Sequence, residues 1–279
     1  FGVRGPPAGM GEFMAAGGAL AADPGDGSPK AELLRLVEEF RVKQESMWEV
    51  TAAEEGKAAA EKKKKKKGGQ TSLLNAESFA SQQVVMSEEL SALRSSVVAA
   101  IQKLAALNPT PEPCRGWKGY GGGRPADSPL NGTWKLLFTD AADATFKKGK
   151  RGSATTSQEI DAEGGWFVNC VDFSGTGGKL RGFRVFVEGE ALSPNEIQLS
   201  FRKVRLLRNS RFPRLFGEIT IPLPNPALLR NIGRFFAKAM GGKPNASDRG
   251  AGFKLLYVDP DMRVHQTFDG LYFVQRRLS

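Results

Sequence analysis

Residues 130–140, "LNGTWKLLFTD", read as a short apolar strand that opens on Gly132 and Trp134 directly after a loop rich in glycine and proline. This is the point at which the hydrophobic period of the chain changes. Upstream, Ser28-Pro29 offers an N-cap followed by proline at the first helical position, and Leu33, Leu34, Val37 and Phe40 recur at helical spacing, which predicts a helix over 29–50. Ser87 with Glu88 and Glu89 behind it starts a second helix, whose Leu90, Leu93, Val97, Ile101 and Leu104 form one apolar stripe. That helix must stop at Asn108, because "NPTPEP" disfavours helical backbone before each proline.

Downstream, short β-rich runs alternate with turn residues. Strands are predicted at 132–139, 153–161, 166–173, 180–189, 195–207, 215–223, 252–259, 262–267 and 271–277. So many strands at close spacing predict an antiparallel barrel or sandwich, and the turn signals at Asp259-Pro260-Asp261 and Phe268-Asp269-Gly270 make the last three a meander. Phe183, Val185 and Val187 share one strand face, as do Ile197, Leu199 and Phe201, while Arg184, Glu188 and Gln198 point the other way. Such half-apolar strands close around either packed side chains or a greasy ligand.

One interruption stands out among the strands. In "NPALLRNIGRFFAKAMGGK", Leu228, Leu229, Ile232, Phe235, Phe236, Ala239 and Met240 fall on one helical face, and Arg230, Asn231, Arg234 and Lys238 fall on the other. This basic amphipathic helix either covers the barrel or lies on a membrane surface, and Leu228, Leu229, Ile232, Phe235, Phe236 and Met240 are its membrane-contact candidates. The expected organisation is therefore a disordered leader or targeting remnant over 1–28, beginning at Phe1, and a helical segment over 29–113. A disordered lysine-rich insertion at 51–80 lies within that segment, and the β-barrel domain covers 114–279.

Composition narrows the function. The formal net charge is +10, but six of those charges sit in Lys62–Lys67, which leaves +4 for the rest of the chain. The run lacks interleaved aromatics, so its attraction to phosphate would be salt-labile and non-specific, and specific nucleic-acid binding is not expected. No run of about 18 apolar residues occurs, so no helical span is expected. Cys114 and Cys170 lack metal-site spacing, and their pairing stays open.

His265 is the single histidine, expected at the surface or hydrogen-bonded in the core. The loops "GYGGGRP" and "SGTGGKL" fit neither a dinucleotide nor a P-loop fingerprint, and the Asp259/Asp261 pair is explained by its turn. No catalytic residues, cofactor or metal site are read from the chain.

The order "KAELLRLVEEF", "IQKLAALNPTPEP", "LNGTWKLLFT" and "GFKLLYVDPDMRV" with "DGLYFVQR" resembles the plastid-lipid-associated protein (fibrillin) family. The resemblance implies a lipocalin-like antiparallel β-barrel preceded by two helices, with the amphipathic helix inserted before the last strands. It implies no enzymatic activity and no cofactor. Instead it implies a protein that binds or organises prenylquinones, carotenoids or other lipids at thylakoid or plastoglobule surfaces in the plastid; a scaffold for a plastid enzyme or photosynthetic complex is the alternative.

In such barrels the glycine lets the chain enter closely and the tryptophan plugs the closed end, so the resemblance assigns these roles to Gly132 and Trp134. Strand parity then places Leu136 and Phe138 inward with the tryptophan and Lys135 outward. The last strand must lie beside the first, and the resemblance places Arg276 over the Trp134 ring.

Overall fold

The structure, a computed structural model, describes residues 27–63, 87–141, 153–175, 180–209, 217–223 and 250–278. Helix α1 (Pro29–Lys63) is entered through Ser28, whose hydroxyl accepts from the Ala31 amide, and α2 (Glu88–Ala105) through Ser87, which accepts from the Leu90 amide. The expected end of the first helix at residue 50 is corrected: α1 runs on to Lys63, into the stretch assigned to a disordered insertion. "TAAEEGKAAAEKK" is made almost entirely of strong helix formers, which outweighs the lysine run at its end. Residues 1–26 of the leader, the remainder of that insertion and the amphipathic segment 228–240 lie outside the described residues.

Among the described residues nine strands follow: β1 (Gly132–Thr139), β2 (Ala154–Asp161), β3 (Trp166–Phe173), β4 (Leu180–Ser193), β5 (Glu196–Arg208), β6 (Glu218–Pro222), β7 (Gly252–Val258), β8 (Met262–Thr267) and β9 (Tyr272–Arg277). All pairings are antiparallel. The sheet order β4-β3-β2-β1-β9-β8-β7-β5-β6, with β4 also paired to β5, closes β1–β5 and β7–β9 into a ring from which β6 hangs. First and last strands are neighbours, as expected of an up-and-down barrel.

The ring is joined unevenly. β5 pairs with β4 along most of its length, but its other edge meets β7 only where Glu196–Gln198 face Gly252–Lys254. From Lys203 to Leu207 the same edge pairs with β6 instead. The wall is therefore continuous near Ile197 and changes partner toward the opposite end.

Two apolar clusters result. One lies outside the ring, where Leu33, Val37 and Phe40 of α1 and Leu90, Val97 and Ile101 of α2 pack on Phe138, Tyr257, Met262, Val264 and Val274. The other fills one end of the interior with Trp117, Leu130, Trp134, Ile160, Phe167, Ile197, Phe253 and Leu255.

Phe138 belongs to the outer cluster, which corrects its inward assignment. The β1–β9 pairing slips between Leu136 and Phe138, and this bulge at Leu137 reverses the parity of everything after it. Phe138 thus meets Phe40 edge-on at 5.0 Å, and Thr139 takes the inner side.

Candidate ligand-binding site

One end of the barrel is plugged. Trp134 is fully buried and its indole Nε1 donates to the Leu130 carbonyl at 2.9 Å. Gly132 stands at φ +114°, so the requirement met at this position is a backbone angle open chiefly to glycine. Trp117, from the glycine-rich loop, stacks on Phe167 at 4.6 Å and donates from Nε1 to the Gly189 carbonyl at 3.0 Å. A Cβ on Gly189 would come within 2.6 Å of Phe167 and 2.8 Å of Trp117, so this strand glycine makes room for the second tryptophan.

The arginine over Trp134 is Arg277, which corrects the assignment of Arg276. Trp134 pairs with Arg277 across β1 and β9, whereas Arg276 pairs with Lys135 and with Met262 on the outer face and is exposed. The Arg277 guanidinium lies 4.2 Å from the indole centroid. It donates to the carbonyls of Pro260 at 2.5 Å and Pro129 at 2.7 Å and to that of Asn131, tying the β7–β8 turn to the entry of β1.

Above this plug lies a polar floor that the sequence reading did not find. Arg263 is fully buried, with its guanidinium 5.3 Å from the Trp134 centroid. It donates through Nε to Gln275 Oε1 at 2.9 Å and through Nη2 to the Oε1 atoms of both Gln275 and Gln158. Gln158 in turn donates to Asn169 Oδ1 at 2.6 Å. Burial, and behind it the charge of Arg277, push the Arg263 guanidinium down to about 9, which leaves it charged at neutral pH.

His265 stands beside this floor between Phe273, stacked at 4.8 Å, and Phe253 at 4.6 Å. It is buried rather than at the surface. Burial and the neighbouring Arg263 charge hold its imidazole well below the usual histidine value, so it is neutral. Its Nδ1 has no hydrogen-bond partner.

Among the described residues, the rest of the interior is lined but not filled. Leu136 stays on the inner face with Trp134, as expected, yet it is only half-buried. The same holds for inward-facing Val185, Leu199 and Phe201, and for Phe183, Phe273, Val204 and Leu206 farther up the wall. Ile221 and Ile219 of β6 pair with Val204 and Leu206, share their face, and are exposed at 42% and 40%. Side chains that point into a closed ring and still meet solvent line an open lumen. Its wall is apolar, its mouth carries two isoleucines, and its floor is the Arg263 network.

A signal for this floor exists in "MRVHQT", but local pattern assigns it to the wrong faces. Met262 and Val264 look like the inner side; instead they are buried under the helices, and Arg263 and His265 point inward. The Asp259-Pro260-Asp261 turn is structural, with Asp259 Oδ1 accepting from the amides of Asp261 and Met262. Cys114 and Cys170 are both free and buried. Among the described residues no helix is long and apolar enough to cross a membrane, and no group of three potential metal ligands assembles.

A closed antiparallel ring with one plugged end and an apolar lumen is a lipocalin-like β-barrel. The PAP_fibrillin family model matches residues 71–276, from ahead of α2 to near the end of β9, and the chain belongs to that family. Among curated proteins it is similar to the Arabidopsis thaliana "Probable plastid-lipid-associated protein 3, chloroplastic", with 26% identity over 217 residues. The match covers 68% of this chain and 53% of that relative, so the chain spans about half of the relative's length. Among solved structures, a lipocalin-like protein from Bacteroides uniformis aligns with 54% of this chain and 99% of its own at 12% identity, with a TM-score of 0.24.

Proposed function

We propose that this protein holds a hydrophobic small molecule or lipid in its barrel and works without catalysis as a plastid lipid-binding protein. The observation that carries the reading is the lumen wall: inward-facing Leu136, Val185, Leu199 and Phe201 remain half-exposed inside a ring whose other end is packed solid. An apolar surface kept in contact with water inside a closed wall gains free energy, about 25 cal/mol per Å² covered, when an apolar ligand replaces that water. The ligands in view are prenylquinones, carotenoids and other plastid lipids, and the name of the Arabidopsis relative supports the plastid setting.

Attachment to a thylakoid or plastoglobule surface is part of the same proposal, through the apolar face of 228–240 with its basic flank. The full chain, incubated with a chloroplast lipid extract and re-isolated by gel filtration, should release a stoichiometric lipid to solvent extraction and mass spectrometry. Recovery of no lipid above that of a heat-unfolded control would overturn the reading.

A further inference from the structure

We infer that the lumen selects amphiphiles with an anionic headgroup on a long apolar tail, and that Arg263 is the residue that binds the headgroup. The inference rests on the lipid-binding reading and adds the chemical class of the ligand. A fully buried guanidinium is costly unless a negative charge answers it. Among the described residues no carboxylate pairs with Arg263: its hydrogen bonds end on the neutral amides of Gln275 and Gln158, and the charge of Arg277 repels it. Its Nη1 has no hydrogen-bond partner at all.

The position is as informative as the charge. Arg263 reaches from β8 to Gln158 on β2 and so crosses the barrel interior between the Trp134 plug and the half-buried apolar wall. Gln158 and its partner Asn169 are half-buried wall residues, so the floor is less tightly covered on their side than at Arg263 itself. A carboxylate or phosphate arriving from the lumen displaces the Gln158 amide and takes Nη1 and Nη2 side by side, the forked geometry that guanidinium favours. The apolar tail then lies along Leu136, Val185 and Phe201 toward the isoleucines of β6. Neutral His265 neither competes for the anion nor repels it.

The test uses the full chain with cis-parinaric acid and its methyl ester, which share one fluorescent tail and differ in headgroup charge. At neutral pH the acid should bind at least tenfold more tightly than the ester. Arg263→Met, which keeps the side-chain bulk, should bring the acid to the ester's affinity and leave the ester unchanged. Gln158→Glu, which retains the arginine and supplies an internal counter-charge, should do the same and keeps the test valid if the first variant does not fold. Equal affinities of acid and ester for the unmutated protein would overturn the headgroup inference and leave the lumen reading standing; binding of neither would overturn both. An acid preference that survives Gln158→Glu in a folded protein would also sink the role of Arg263.

Discussion

At the scale of single residues, the difference between Arg276 and Arg277 is a difference of register. Both are arginines on the last strand, but β9 alternates faces, and the pairing of Trp134 with Arg277 puts only the latter on the indole. Arg277→Ala removes a cation–π contact and leaves the carbonyls of Pro129, Asn131 and Pro260 without that donor, so it should destabilise the fold by about 2–4 kcal/mol. Tryptophan emission should shift with it. Arg276→Ala should change the melting temperature little, because its exposed side chain faces the other way; equal losses in thermal melts would refute the assignment. The thiols give a second check: burial pushes Cys114 and Cys170 each up to about 12, so both stay protonated at neutral pH. Neither should react with a colourimetric thiol reagent in the folded protein, and both should react promptly in guanidinium.

At the scale of elements, the two helices convert one side of the barrel from a surface into an interior. Strands β7 to β9 are buried on both faces: Tyr257, Val264 and Val274 lie under α1 and α2, and Leu255, Arg263 and Gln275 lie inside the ring. Phe40 is the contact that holds α1 to β1 through Phe138, and Phe40→Ala should cost about 3–5 kcal/mol, read from denaturant unfolding. The start of α1 is fastened by charge instead, with the Lys30 ammonium 2.5 Å from Asp259 Oδ2.

Burial alone would raise the Asp259 carboxyl. Lys30, the Tyr257 hydroxyl and the amides of Asp261 and Met262 together hold it below the ordinary 3.8. A carboxyl depressed in the folded state contributes stability that is fully present above its unfolded value and is lost as pH falls toward and through its folded value. Stability should therefore decline below about pH 4, and Asp259→Asn should both weaken the protein at pH 7 and flatten that acid limb. An acid limb unchanged in the variant would assign it to other carboxylates.

At the scale of the whole molecule, a barrel plugged at one end and handed from β7 to β6 at the other has a direction, and the proposed ligand would enter from the β6 side. The segment 228–240 enters the chain directly between those two strands, so a membrane contact there would bring the lumen mouth to the lipid. Burying Phe235 and Phe236 contributes on the order of 3–6 kcal/mol if both leave water. Replacing both with serine should release the protein from anionic galactolipid-containing liposomes in a flotation assay while the circular dichroism stays that of the parent. Undiminished flotation would point to a helix that covers the barrel.

Sequence alone determined where both helices begin and where the strands lie among the described residues. Both helix starts follow from Ser28-Pro29 and Ser87 with its two glutamates, and the strands follow from short β-rich runs between turn residues, because caps, turns and periods are local chemistry. The adjacency of the first and last strands was legible too, since a closed sheet requires it. Tertiary structure alone decided which face each strand turns inward. The bulge at Leu137 moves Phe138 outward, and the α1–α2 cover makes the outer side of β8 as apolar as an interior, so Met262 and Val264 exchange roles with Arg263 and His265. The polar floor was hidden for that reason: nothing in the local alternation of residues 262–267 tells a buried arginine from an exposed one, and only the packing of both faces does.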